Sequence, residues 1–271
     1  MNLYRLILNA PADGAWNMAI DEAILVAVGS GDALSTLRLY AWQPACLSLG
    51  YSQNIQDVDM TRLQTRGWGL VRRMTGGRAI LHADELTYSV IVPNHDDLVS
   101  GSLLESYNHI ARGLLKALHN LGLAVEINEH TPGMNSNAAG PVCFEVPSAY
   151  EITTQGKKLI GSAQARRKQG VLQHGSLPLY GDLGRITQVL AFSEEAERQE
   201  ALERLLRRAT NVESVSGRRL DWEFVAKAFV EAFETELDLR FEEGELSAEE
   251  KKCAYELVKT KYSQPEWTGR V

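Results

Sequence analysis

Residues 72–88, reading RRMTGGRAILHADELTY, hold the densest set of groups able to do chemistry in this chain. Arg72 and Arg73 end an apolar run, a Thr75-Gly76-Gly77 turn follows, and a short strand-like stretch ends in His82. Gly76 and Gly77 permit positive φ and let a ligand approach the main chain closely. Successive N–H groups in such a turn form an anion-binding concavity. Arg72, Arg73 and Arg78 add fixed positive charge with bidentate geometry. An ordinary hairpin turn with its arginines on the wet face fits the same pattern. His82 suits either a positioning or proton-relay role or a plain structural hydrogen bond.

A thiol and an amine come next. Cys143 lies in Gly140-Pro-Val-Cys-Phe-Glu-Val-Pro-Ser, between two prolines at a loop edge, on neither a helix face nor a clean alternating strand. A cysteine so placed is a candidate nucleophile, attacking as the thiolate; burial as a small hydrophobe is the alternative. Cys46 sits inside an apolar run, and Cys253 falls in a lysine-rich helix. In Gly156-Lys-Lys-Leu-Ile-Gly-Ser-Ala, strand alternation sends Lys158, Ile160 and Ser162 one way and Lys157, Leu159 and Gly161 the other. One lysine must then face whatever the sheet covers, unless both are solvated and Gly161 is a bulge. His174, in Gln-His-Gly-Ser, reads as structural. The six histidines are scattered without paired ligand spacing, so no metal site is expected.

Composition narrows the class. The chain has 271 residues, 44% of them hydrophobic, enough for one large α/β domain with a substantial core. A net charge of −7 argues against a general nucleic-acid binder, although Arg72, Arg73, Arg78, Arg166 and Arg167 provide material for a local basic patch. Three widely spaced cysteines without a C-x-x-C pattern speak against a disulfide framework and fit a reducing cytosol. The N-terminus shows no signal-peptide cleavage pattern. No apolar run approaches the roughly 20 residues that span a bilayer. A cytoplasmic protein with no membrane and no nucleic-acid partner is expected.

The elements that must hold these groups follow from periodicity. A strand is expected at 3–8. A helix is expected from Asp13 to Val28, with Trp16, Ile20, Ala23, Ile24 and Ala27 at helical spacing and Gly29 as its C-terminal cap. Strands are expected at Leu37–Trp42, Cys46–Leu49, Gly69–Arg73, Arg78–Leu81 and Leu86–Val92, with a helix near 57–66 among them. Ser102 and Glu105 make a capping-box pattern ahead of a helix from Leu103 to Leu121, whose buried stripe reads Leu103, Tyr107, Ile110, Leu114, Leu118 and Leu121. Residues 130–141, rich in Asn, Gly and Pro, read as a loop. A three-strand meander is expected at Ala149–Thr154, Lys157–Arg167 and Val171–Leu179, with a Gln155-Gly156 hairpin turn. Charged helices are expected at Ser193–Ala209, 220–236 and 247–261. The expected fold class is α/β (α+β), a mixed, largely antiparallel sheet flanked by helices. Residues 1–183 would form the catalytic domain. Residues 184–271 would form a helical C-terminal part, packed on it or standing as a small lobe.

RRMTGGRAILH is similar to the signature of the lipoate–protein ligase A family, which shares its fold with biotin protein ligases. The segment Trp16-Asn-Met-Ala-Ile-Asp-Glu-Ala resembles that family's first helix, and Lys158 followed by Gly161-Ser162-Ala163 resembles its second hallmark. The resemblance implies that Arg72, Arg73, Thr75, Gly76, Gly77, His82, Gly161 and Ser162 bind the acyl group. It also implies that Lys158 contacts the acyl carbonyl or adenylate phosphate. The combination of Cys143-Phe-Glu-Val-Pro-Ser-Ala-Tyr-Glu-Ile with Gly156-Lys-Lys-Leu-Ile-Gly-Ser-Ala-Gln and Gln173-His-Gly-Ser-Leu resembles the cysteine-dependent octanoyltransferase branch. That branch moves octanoyl from octanoyl-acyl carrier protein to a lysine of a lipoyl-carrier domain, such as glycine-cleavage H protein or a dehydrogenase E2, with no ATP and no cofactor. Cys143 and Lys158 would then be catalytic. An ATP-dependent lipoate–protein ligase, an amidotransferase between carrier domains and a non-catalytic acyl-binding protein are the alternatives.

Overall fold

In the computed structural model of the protein, residues 2–128 and 151–271 are described. Cys143 and the loop expected at 130–141 lie outside the described residues. β1 (Asn2–Leu8) leads through a capped turn into α1 (Gly14–Ser30). The Asp13 side chain accepts from the Trp16 amide at 2.9 Å, satisfying one of the open N–H groups of the first turn. The helix ends at Gly31, in the left-handed conformation at φ 78°, two residues beyond the cap expected at Gly29. Gly29 is small for another reason: a Cβ there would lie 2.2 Å from the Gln169 carbonyl oxygen.

β2 (Thr36–Tyr40) and β3 (Cys46–Leu49) follow. A 3₁₀ turn at Ile55–Asp57 and a short α2 (Met60–Thr65) replace the single helix expected near 57–66. Next come β4 (Gly69–Arg72), β5 (Ile80–His82) and β6 (Glu85–Val92). α3 (Leu103–Asn120) carries the full Ser102/Glu105 capping box. Its stripe is buried from Ile110 onward, while Leu103, expected inside, is 54% exposed. The meander is present as β8 (Glu151–Thr154), β9 (Lys157–Arg166) and β10 (Val171–Pro178), preceded by a short β7 (Glu126–Asn128). Gln155 and Gly156 both have positive φ, as a tight hairpin needs.

The remainder consists of a 3₁₀ stretch at Leu183–Gln188, α4 (Glu195–Arg208), α5 (Val212–Ser216), α6 (Trp222–Leu237), β11 (Leu239–Glu243), α7 (Ala248–Leu257) and α8 (Pro265–Thr268). One eight-stranded sheet runs β11-β1-β2-β6-β10-β9-β8-β7; its first two pairings are parallel and the others antiparallel. α3 and α6 pack on one face through Leu114, Leu118, Phe229 and Phe233. α1 and α7 cover the other through Ile20, Ile24 and Ala254. The helices on each face of the sheet thus bury an apolar side against it, which is what fixes a layered α/β architecture. The C-terminal part is not purely helical, because β11 extends the sheet beside β1.

A second, three-stranded sheet, ordered β4-β3-β5, stands against the large one. β4 runs parallel to β3 and β5 antiparallel. The segment between β4 and β5 is therefore not a hairpin. It crosses over β3 as a loop from Arg73 to Ala79, and that crossing places Gly76 and Gly77 at an exposed rim.

Candidate active site

Between the two sheets lies a cavity of about 610 Å³, within the roughly 300–1,000 Å³ range of small-ligand pockets. Its floor is made of buried residues: Tyr40, Trp42, His82, Thr87, Gly175 and Ser176. Its rim is exposed at Ser52, Asn54, Gly76 and Gly77. β9 forms one wall with Lys158, Gly161, Ser162 and Ala163. The small sheet and its crossing loop form the opposite wall with Ile80 and with Arg73 and Arg78.

The structure brings together most of the residues singled out above. Gly76, Gly77, Arg73, His82, Lys158, Gly161 and Ser162 all line this one cavity. Thr75 lies just behind the lining, with its hydroxyl 2.7 Å from His174 Nε2. Arg72 does not line it. The Arg72 guanidinium is fully buried and donates to the carbonyls of Gly50, Gln53 and Thr268 at 2.6 to 2.9 Å. Its charge is spent on bracing the chain at the base of the loop, and burial, followed by the nearby Arg270, pulls its pKa below the usual arginine value.

Arg73 acts on the loop itself. Nη1 donates to the Ser48 carbonyl and hydroxyl at 2.8 and 2.6 Å, and Nη2 donates to the Gly76 and Arg78 carbonyls at 3.1 and 3.0 Å. Gly77 has φ 94°, and its carbonyl passes so close to Gly50 that a Cβ on Gly50 would lie 1.8 Å from it. Only glycines allow this crossing.

Two carboxylate–histidine pairs border the floor. Glu85, on β6, accepts from His82 Nδ1 at 2.7 Å, from the Thr87 hydroxyl at 2.5 Å and from the Ser176 hydroxyl. The Ser48 hydroxyl oxygen accepts from Arg73 Nη1 and lies 2.6 Å from His82 Nε2. Trp42 stacks on the His82 ring at 4.0 Å and donates from Nε1 to Thr87 at 2.8 Å.

Asp21, on α1, sits at the centre of the second pair. It accepts from Arg38 at 2.7 Å, Tyr40 at 3.0 Å and Ser89 at 2.9 Å, and faces His174 Nδ1 at 3.5 Å. Burial works to raise the Asp21 pKa, but Arg38 and His174 together hold it below the usual carboxylate range. Burial also lowers the His174 pKa, outweighing Asp21, so the ring is neutral near pH 7.

Lys158 is 3% exposed, with Nζ donating to Glu151 Oε1 at 2.8 Å. Its neighbour Lys157 points outward to the Leu206 carbonyl. Alternation thus resolves in favour of Lys158 as the inward lysine. Among the described residues two thiols occur, and neither is activated. Burial pushes the Cys46 thiol far up, with Asp13 and Glu85 adding to it. Burial, Glu22 and Glu250 raise that of Cys253. Among the described residues no cluster of three or more His, Cys, Asp or Glu could hold a metal, and no helix is long and apolar enough to cross a membrane.

Sequence reasoning did not single out Trp42, Ser48, Thr87 or Ser176 for the site. Their signal is weak, since Trp42 follows β2, Ser48 lies on β3, Thr87 on β6 and Ser176 on β10, and only the facing of the two sheets brings them together. Glu85 and Asp21 were equally unmarked as partners, although Glu85 follows His82 by three residues.

Comparison with known proteins places this arrangement. Residues 13–234 match the family described as the lipoyl protein ligase A/B catalytic domain. Octanoyltransferase LipM of Brevibacillus brevis is 38% identical, over all of both chains. Octanoyltransferase LipM of Moorella thermoacetica is 41% identical, over 98% of each. Among solved structures, that of a bipartite lipoate protein ligase and its E2 lipoyl domain from Thermoplasma acidophilum superposes with a TM-score of 0.82 at 26% identity, covering 100% of this chain and 98% of that one. A lipoate-protein ligase A bound with ATP superposes with a TM-score of 0.79 at 27% identity, over the whole of both chains.

Proposed function

The chain belongs to the lipoyl protein ligase A/B catalytic family, and from that premise we propose that it transfers octanoyl from octanoyl-acyl carrier protein to a lysine of a lipoyl-carrier domain, through a thioester on Cys143. The observation that carries the reading is the cavity between the sheets, which gathers Gly76, Gly77, His82, Lys158 and Ser162 around one chamber with a buried floor and an open rim. The full-length likeness to LipM octanoyltransferases supports the acyl group and the acyltransferase class.

The chemistry runs in two balanced steps. The Cys143 thiolate attacks the donor thioester carbonyl. The C–S bond to phosphopantetheine breaks, the pantetheine thiol leaves with a proton, and octanoyl-Cys143 forms. The acceptor lysine, as a free amine, then attacks that thioester. An amide forms, the C–S bond to Cys143 breaks, and the amine proton returns the thiol. Thioester exchange is close to energetic balance and aminolysis is downhill, so no ATP is consumed. Because both partners use one site in turn, ping-pong kinetics follow.

In this reading Lys158 polarises the acyl carbonyl and favours the Cys143 thiolate, and the Gly76–Gly77 amides face the acyl oxygen. The high thiol pKa values of Cys46 and Cys253 support assigning the nucleophile to Cys143. Glycine-cleavage H protein or a dehydrogenase E2 domain is the acceptor, and the reaction takes place in the cytoplasm.

Intact mass of the enzyme after incubation with octanoyl-acyl carrier protein tests this. One added octanoyl group is expected with donor alone, lost on adding the acceptor domain. It should be absent in Cys143→Ala and retained in Cys46→Ala and Cys253→Ala. Transfer that requires ATP and free octanoate or lipoate, with no labelling of Cys143, would replace the transferase by a ligase.

A further inference from the structure

We propose that His82 and His174 are a pair of positioning residues that pin the Arg73–Ala79 loop over the cavity on both sides of Gly77, rather than proton carriers for the reaction. Both rings border the cavity, and each is held in the same way. Nδ1 of each faces a buried carboxylate: Glu85 at 2.7 Å for His82, Asp21 at 3.5 Å for His174. Nε2 of each is capped by a hydroxyl: Ser48 at 2.6 Å for His82, Thr75 at 2.7 Å for His174. A general base acts on the proton its free nitrogen meets; here Nε2 of each ring meets a hydroxyl that belongs to the loop or holds it, Thr75 as a loop residue and Ser48 through Arg73. A carboxylate on one ring nitrogen fixes tautomer and orientation, so the other nitrogen becomes a directed acceptor.

What those two nitrogens hold is the loop. His82 Nε2 meets the Ser48 hydroxyl, whose oxygen also accepts from Arg73. Arg73 in turn grips the carbonyls of Gly76 and Arg78. His174 holds Thr75 directly, one residue before Gly76. The Thr75 carbonyl also accepts from the Tyr51 amide at 2.8 Å, and the Met74 carbonyl from Arg167 at 3.0 Å. The two clamps come from opposite sides: His82 from the small sheet, His174 from β10 of the large one. Gly76 and Gly77 are the exposed span between them. Their direction sets where a ligand meets the backbone, and loop placement to about an ångström matters for rate.

The inference uses the acyl-transfer reading only for its kinetic arm. Hydrogen exchange of the Arg73 and Tyr51 amides, which tie the loop through the Leu49 and Thr75 carbonyls, in enzyme without substrate tests the clamps directly. Thr75→Val and Ser48→Ala remove one hydroxyl each and leave both histidines in place, with a thermal melt checking that each variant is folded; His174→Gln and His82→Gln extend the series. Each variant is expected to exchange at these amides at least about tenfold faster (roughly 1.4 kcal/mol), with α3 and β10 exchange unchanged. In transfer assays KM for the octanoyl donor should rise more than kcat falls, and the ionisations in the pH–rate profile should stay in place. Wild-type exchange in the loop of either hydroxyl variant would overturn the proposal. So would loss of one limb of the pH–rate profile in a histidine variant whose loop exchange is unaltered. Faster loop exchange in a protein that transfers no octanoyl leaves the clamps standing and defeats the acyl-transfer reading instead.

Discussion

Lys158 and Glu151 form a buried ion pair on the cavity wall, 2.8 Å apart. Such pairs are hard to probe by deleting one partner, because the other charge then lies buried without its counter-ion, at a cost of about 3–5 kcal/mol. Lys158→Ala should therefore lower both acylation rate and thermal stability. Lys158→Ala with Glu151→Gln should restore much of the stability while leaving the rate one to three orders of magnitude down, at about 1.4 kcal/mol per tenfold. Acylation kinetics beside thermal melts check this. Recovery of rate along with stability would reduce Lys158 to a structural role. Arg72 shows the limit of reading charge from sequence. A guanidinium that faces a ligand and one that braces three carbonyls look the same in a string of letters, and only the arrival of Thr268, 196 residues later, separates them.

The crossing loop between β4 and β5 owes its shape to Gly77. A valine there would need φ near 94° and would bring its Cβ to 3.4 Å from Arg73 Nη2. Positive φ costs a β-branched residue about 1–3 kcal/mol, and the nearest relief is displacement of Arg73 from the loop carbonyls. Gly77→Val is expected to abolish acyl-enzyme formation while lowering stability by no more than that amount. Intact mass with donor alone, beside a denaturant melt, reads both; normal acylation would show that the turn needs no close approach. Elements governed by local signals were legible: the capping box of α3, the Gln155-Gly156 turn and the meander around it. Elements governed by distant partners were not. β11 is a strand because it lies beside β1, and its half-exposed LRFEE carries little pattern of its own. β4 and β5 were legible as strands, but their separation by β3 is a property of topology, invisible in the segment itself.

At the scale of the whole molecule, the buried polar network makes acid the weak direction. Asp21 has a lowered pKa because Arg38 and His174 outweigh its burial, and His174 has one lowered by burial. In both cases the unfolded chain binds its proton at higher pH than the folded one, so stability rises with pH across each window. For His174 the loss begins as pH falls through its ordinary value of 6.5, and for Asp21 as it falls through 3.8. Melting temperature should therefore decline from about pH 6.5 downward, with a steeper fall below about pH 4. His174→Gln should flatten the first part of that decline. A melt independent of pH between 7 and 5 in the native protein would contradict the neutral buried imidazole. The same network links α1, β2, β6, β10 and the loop, so this acid response belongs to the assembled sheet rather than to any one element.

Trp42 gives the cavity a built-in optical readout. It is one of five tryptophans, and its indole lies face to face with the His82 ring on the floor, with Nε1 tied to Thr87. A hydrocarbon chain filling the chamber would displace solvent from this one indole. Emission should then shift to the blue as octanoyl is loaded from the donor and return when the acceptor removes it. The Trp42→Phe variant should lose that signal and leave the emission of the other four in place. Each half of the transfer cycle would thereby be visible in a stopped-flow fluorimeter, without a label on either carrier.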